Sequence, residues 1–304
     1  MNRARLATPR TTPAHRLTLG VLALALASPW LGACGGDDDD GDGAPAARDV
    51  SVEFSARVAG QPFACSSTYT GLGTKATTVR PLDFRLYVYD VALVSRGGEV
   101  VPLALEDDGV WQREGLALLD FEDGSGDCAT GSPETNVAVR GKAPARDDYA
   151  GLRFRLGVPE AMNHLDAATA PAPLNVPGLW WSWKGGYKFA RIDFQTEAGS
   201  PYYFHMGATT CEGDVGAGFA CAYGNIADVS LDAFVPGTSR VVLDVADFYA
   251  DSDLSLQPDM KTDFVPGCMA FAGDPECPAV FDKLGLSFES TSPGARPQSL
   301  FRIE

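Results

Sequence analysis

The chain has 304 residues, with 24 Lys and Arg against 40 Asp and Glu and a formal net charge of −16. A chain this acidic repels nucleic acid and anionic lipid headgroups, so neither is an expected partner. The one apolar run, near the N-terminus, is too short to cross a membrane as a mature helix.

That run belongs to a targeting segment, residues 1–33. Arg3, Arg5, Arg10 and Arg16 precede or open the apolar stretch Leu17–Ala27. Leu31-Gly32-Ala33-Cys34 follows and looks like a bacterial lipobox, which predicts lipidation of Cys34 as the first mature residue. Residues 34–49 read as a lipidated Gly/Asp-rich tether, charged and with nothing to bury. Cleavage removes four arginines and no acid, leaving 20 basic residues against 40 acidic. The expected address is the bacterial cell envelope, a periplasm-facing or outer-membrane lipoprotein held to the membrane by its lipid anchor alone.

Residues 50–304 read as one β domain. Ser51–Val58 alternates, with Val52, Phe54, Ala56 and Val58 on one face. Leu82–Leu93 alternates again, and Arg96-Gly97-Gly98 turns the chain into Glu99–Leu103. Leu116–Phe121 is a short apolar run, and Leu152, Phe154, Leu156 and Val158 form a further inward face. Pro159–Gly178 reads as a long loop, a feature that is often functional. Tyr187–Thr196 and Pro201–Met206 read as paired strands; Val229–Phe234 and Arg240–Val245 read as a hairpin across Pro236-Gly237. Pro278–Leu284 suits a two-turn helix stopped by Gly285, and Leu284–Glu289 a last strand. The fold class is therefore all-β, an antiparallel sandwich or barrel-like domain with long loops and disulfides.

Besides Cys34 there are six cysteines, an even number in an exported chain, which reads as disulfides. Proximity in sequence favours Cys211–Cys221 and Cys268–Cys277, leaving Cys65–Cys128. The mature chain has two histidines, His164 and His205, and they bracket a tryptophan cluster, Trp180, Trp181 and Trp183, set between turn-forming residues. Two imidazoles without thiolate or a carboxylate cluster suit Cu(I) better than zinc, which normally takes a third protein ligand. Met162 and Met206 are soft neighbours, but Met206 follows His205 on a strand, so its side chain points the other way. An intact indole has no lone pair for a metal, whereas the kynurenine formed by oxidative ring opening carries an aryl amine and a ketone.

The strings YVYDVALVSRGGEVVPL, LALLDFEDGSGDC, LRFRLGVPEAMNHLD, PLNVPGLWWSWKGGYKFARID, YFHMGATTC and CMAFAGDPEC stand in order along the chain. Together they resemble the MbnP-like family, exported copper-binding proteins also described as the four-Cys member of a metallo-mystery pair. The resemblance implies a β-rich protein that binds copper, here as Cu(I), through His164 and His205. It also implies a partner, a dihaem cytochrome c peroxidase-like (MbnH-like) enzyme that converts a tryptophan to kynurenine. Trp181 and Trp183 match the family motif; Trp180 stands where another apolar residue is more common. Tyr187, Lys188 and Met206 are candidates to support the site from behind. Such a protein is a metal binder and enzyme substrate without catalysis of its own.

Two other readings compete. A carbohydrate- or protein-binding sandwich could use the tryptophan loop as a stacking platform, and would keep its ligand when copper is chelated. A hydrolase would need one of the two histidines, and no GxSxG-type elbow is present.

Overall fold

The computed structural model describes residues 46–259 and 264–304; the signal segment and the Cys34 lipidation site lie outside the described residues. Two β-sheets dominate. The smaller runs in the order Phe301–Ile303, Arg240–Asp244, Ala47–Val58, Ala138–Pro144, Ala104–Leu105. The larger runs Ala227–Asp232, Tyr149–Leu156, Thr77–Ser95, Ala190–Thr196, Pro201–Met206, Gly267–Cys268, with shorter strands added along Thr77–Ser95. Their inner faces meet in one core, where Phe154 of the large sheet packs edge-on between Phe54 and Phe301 of the small one, at 5.8 and 5.0 Å. The all-β sandwich expected from the alternation is present. Among the described residues, pairing is antiparallel except for two parallel contacts, Ala47–Val58 with Arg240–Asp244 and Pro201–Met206 with Gly267–Cys268.

The 19-residue strand Thr77–Ser95 is the axis of the large sheet. Val88 pairs with both Ala117 and Leu156, and Leu86 with both Leu119 and Ala190. A residue has one neighbour on each side, so Tyr149–Leu156 and Ala190–Thr196 share an edge, end to end. Tyr87 marks the junction: its N–H donates to Phe189 O, and its carbonyl accepts from Gly157 N. Everything between Gly157 and Phe189 is thus an excursion thrown out from one point of one edge. It carries His164 and all three clustered tryptophans.

Three expectations are corrected here. Ala227–Asp232 and Arg240–Asp244 are not a hairpin, because the first pairs with Tyr149–Leu156 and the second crosses to the other sheet. Leu284–Glu289 is not the last strand; Phe301–Ile303 is. The tryptophans lie not on an open loop but on a short hairpin, Trp180–Ser182 with Gly186–Tyr187. The helix is where Pro and Gly placed it, at Cys277–Lys283. All three disulfides pair as expected, Cys65–Cys128, Cys211–Cys221 and Cys268–Cys277, at 2.10, 2.05 and 1.98 Å. Among the described residues no helix is long and apolar enough to cross a membrane.

Candidate metal centre

On Pro201–Met206, the pleat sends Tyr202, Phe204 and Met206 into the core and His205 to the outer face of the large sheet. Met206 is fully buried there, consistent with a packing role. That outer face is not a wet surface. It holds a line of buried charge in which Arg85 meets Asp83 and Glu122, Asp83 meets Arg191, Arg191 meets Asp193, and Asp193 meets His205. Within it, Arg191 Nη1 lies 3.0 Å from Asp83 Oδ2, and Arg191 Nε lies 2.6 Å from Asp193 Oδ2. A lid seals this layer. Gly178, in the turn Pro177–Leu179, lies so close to both arginines that a Cβ there would sit 3.3 Å from Arg85 and 3.5 Å from Arg191.

His205 is 5% exposed, with Nε2 3.1 Å from Asp193 Oδ2. Burial works to raise the Asp193 carboxyl, but His205 and Arg191 outweigh it and hold the group below the ordinary carboxylate range. Burial also pushes the His205 imidazole down, and Asp193 offsets only part of that. A neutral ring beside a carboxylate has one arrangement available: Nε2 carries the proton and donates it, and Nδ1 keeps a free lone pair. Nδ1 is buried and has no hydrogen-bond partner. A ring oriented by a carboxylate, with its other nitrogen unused, is the usual state of a histidine built to ligate a metal.

Two residues flank this end of the strand. Parallel pairing sets Tyr203 opposite Gly267 and Phe204 opposite Cys268; carried one residue further, the register brings Met269, half-buried, level with His205. Trp181 approaches the strand just past His205. Gly207 follows His205 by two residues, and a Cβ on it would lie 2.6 Å from Trp181 Cζ3. The Trp181 ring also leans on Phe271, 5.6 Å away and two residues past Met269. Its Nε1 is buried without an acceptor. Met269 was not singled out in the sequence. Its signal is weak, one Met in a Cys-rich tail, and only the strand register gives it meaning.

His164 sits elsewhere. It ends the short helix Glu160–Asn163 and stacks on Phe219 at 4.6 Å. Its Nδ1 is 2.7 Å from the carbonyl of Trp183, and its Nε2 faces Asn163 Nδ2 at 3.3 Å and Cys221 Sγ at 3.4 Å. Asn163 in turn accepts from Tyr187 N at 2.9 Å, which pins the tryptophan hairpin to the helix. No hydrogen bond, ring contact or cluster of metal-capable donors joins His164 to His205 among the described residues. Trp183 is exposed and meets Trp180 edge-on at 5.9 Å.

Tyr187 closes the tryptophan hairpin, and Lys188 follows it. Tyr187 is fully buried and donates to Leu174 O at 2.8 Å; burial drives its hydroxyl up, so it stays protonated. Lys188 Nζ donates to Gly178 O at 3.0 Å, tying the strand to the lid. Burial, then Arg191, lowers its ammonium to about 8.

A family model described as MbnP matches residues 47–270. The solved structure of MbnP from Methylosinus trichosporium is similar, with 32% identity and a TM-score of 0.76 over 85% of this chain and 98% of that one. No curated protein is significantly similar in sequence. The family match takes in the large sheet, the small sheet except Phe301–Ile303, His164, His205 and the tryptophan hairpin, and the chain belongs to the MbnP family.

Proposed function

We propose that this is an exported protein that binds Cu(I) at His205, and that Trp181 is the tryptophan that a dihaem peroxidase-like partner converts to kynurenine. One observation carries the reading: His205 Nδ1 is a buried, unpartnered lone pair, fixed by Asp193, with Trp181 against Gly207 and Met269 level with it in register. A neutral imidazole and a thioether are soft donors of the kind that suit Cu(I). The family likeness of the sequence strings supports copper and the haem partner. Trp181 is favoured over Trp183 because it lies on the His205 side, whereas Trp183 is exposed and contributes its carbonyl to His164. Ring opening of Trp181 would replace an unsatisfied indole N–H with an amine and a ketone beside the ligands. Three disulfides that use every cysteine after Cys34 support an oxidising, extracytoplasmic address.

His164, the second imidazole of the family-based expectation, would have to give up its Trp183 carbonyl or its packing on the disulfide to share the ion. Its part in the proposal is to hold the tryptophan hairpin. As for a stacking platform, Trp180 and Trp181 are half-buried and only Trp183 of the three is exposed.

The test is copper retention against a Cu(I) chelator, on protein co-expressed with the haem enzyme. His205→Ala and Met269→Ala should each lose copper while staying folded, and His164→Ala should weaken it less than either. Copper held by His205→Ala as tightly as by wild type overturns the assignment.

A further inference from the structure

The three disulfides differ in what surrounds them. Cys65–Cys128 and Cys268–Cys277 are buried at both ends. Cys211–Cys221 is not: Cys221 is only half-buried. This pair crosslinks Thr209–Asp214 to Gly218–Tyr223, a two-stranded ribbon separate from both large sheets. Opening it would leave the sandwich and its core pairings intact.

A histidine is aimed at this disulfide. His164 Nδ1 lies 2.7 Å from the Trp183 carbonyl, which can only accept, so a neutral ring has its proton on Nδ1 and its lone pair on Nε2. That lone pair accepts from Asn163 Nδ2 at 3.3 Å and lies 3.4 Å from Cys221 Sγ. Stacking on Phe219, within the same ribbon, holds the ring in place. The donor atoms of His164, Cys211 and Cys221 all lie within 4.8 Å of one another. An imidazole whose remote N–H is bound to a backbone carbonyl, next to two sulfurs, has the form of a soft metal site. In the oxidised protein the sulfurs are tied to each other and are poor ligands. The site at His205 takes no part in this cluster.

We propose that Cys211–Cys221 is a masked metal site, which a dithiol unmasks as a three-donor centre of His164 Nε2 and two thiolates for a soft, thiolate-preferring cation. The chemistry balances. A thiolate of the dithiol attacks the accessible Cys221 sulfur, the S–S bond breaks, and the electron pair leaves on Cys211, which takes a proton from water. The second thiol of the reductant then displaces Cys221 and becomes a disulfide. The protein has gained two electrons and two protons, and both protons leave again when the cation binds.

The experiment uses the full mature chain, limited dithiothreitol and cadmium(II) as the probe. Differential alkylation and peptide mapping should find Cys211 and Cys221 opened before the other four cysteines. The opened protein should bind one cadmium with ultraviolet thiolate-to-metal charge-transfer absorption, and the oxidised protein none. His164→Ala should bind it at least tenfold more weakly. Because that substitution also removes the ring stacked on Phe219 of the ribbon, the cadmium-113 chemical shift of the wild-type complex gives an independent reading, expected in the range for mixed nitrogen and sulfur donors. Opening of another disulfide first, equal affinity in His164→Ala, or a sulfur-only shift would each overturn the proposal.

Discussion

Asp193 Oδ2 receives the Nε2 proton of His205 at 3.1 Å and, on the same oxygen, the Nε proton of Arg191 at 2.6 Å. One carboxylate oxygen thus sets the tautomer of His205 and neutralises the half-buried Arg191 guanidinium. The sequence separates these residues by two and by twelve positions, and strand pairing makes them neighbours: Arg191 stands opposite His205 in the register. The relationship bears on both stability and ligand readiness, and the two can be separated experimentally.

Asp193→Asn should release the tautomer. In the copper-free protein, nitrogen NMR of the His205 ring should show Nε2–H in wild type and a mixture in the variant. Copper affinity should fall by about 10-fold or more, the usual cost of losing the group that orients a ligand. Arg191 loses a buried counter-charge as well, so unfolding free energy should drop by about 3 kcal/mol in denaturant titration. A variant with unchanged tautomer and unchanged copper affinity would refute the role given to Asp193.

Gly207→Ala should disturb the tryptophan pocket with no change of charge. The new methyl would stand 2.6 Å from Trp181 Cζ3 and 2.5 Å from the Tyr187 carbonyl, and the second of these is backbone that cannot swing away. Overpacking of this kind costs about 1–3 kcal/mol. The expected result is a lower melting temperature together with a changed tryptophan emission spectrum; an unshifted melting temperature would contradict the contact.

Trp181→Phe and Trp183→Phe separate the two indoles. Peptide mass spectrometry across Leu174–Lys188, on protein co-expressed with the haem enzyme, should find kynurenine in wild type and in Trp183→Phe. Trp181→Phe should carry none and should fail to retain copper. Modification that persists in Trp181→Phe would move the oxidised position.

Asp120, which is none of the proposed copper ligands, gives a pH signature of its own. Burial, only partly offset by Arg85, raises its carboxyl to about 8 from 3.8, so the folded protein keeps this proton where the unfolded chain has lost it. The stability contributed by the protonated form is complete below the unfolded value near 4. It declines as pH rises and is gone above the folded value near 8. Asp120→Asn mimics the neutral acid. Its stability relative to wild type should therefore grow steadily from pH 4 to pH 8 and then level off, as read by urea denaturation at each pH. A difference that stays flat over this window would mean the carboxyl is ionised throughout.

Much of the fold was legible in the sequence because strand alternation and turn residues are local. Val52, Phe54, Ala56 and Val58 face inward as the period of two requires. The disulfides followed from short spacing and elimination, and the helix at Cys277–Lys283 from its flanking Pro and Gly. Local pattern failed where both faces of a strand are covered. Asp83 and Arg85 alternate with Phe84 and Leu86 as solvent-facing residues would, yet they are buried, because the lid at Gly178 and Glu122 closes over them. The failed hairpin at 229–245 has a related cause: a turn signal says that the chain reverses, not which sheet it rejoins.

The chemistry divides in the same way. The sequence by itself determined the inventory: two histidines and six cysteines beyond Cys34, three clustered tryptophans, a strongly acidic chain, and motif strings in the order of one family. Only the tertiary structure decided the partners. The excursion between Gly157 and Phe189 leaves and rejoins one edge, which carries Trp181 to the His205 side and leaves Trp183 with His164. The parallel strand Gly267–Cys268 brings Met269 from the far end of the chain to the level of His205. A metal site is defined by which lone pairs converge, and convergence across more than sixty residues depends on strand register, which no local pattern records.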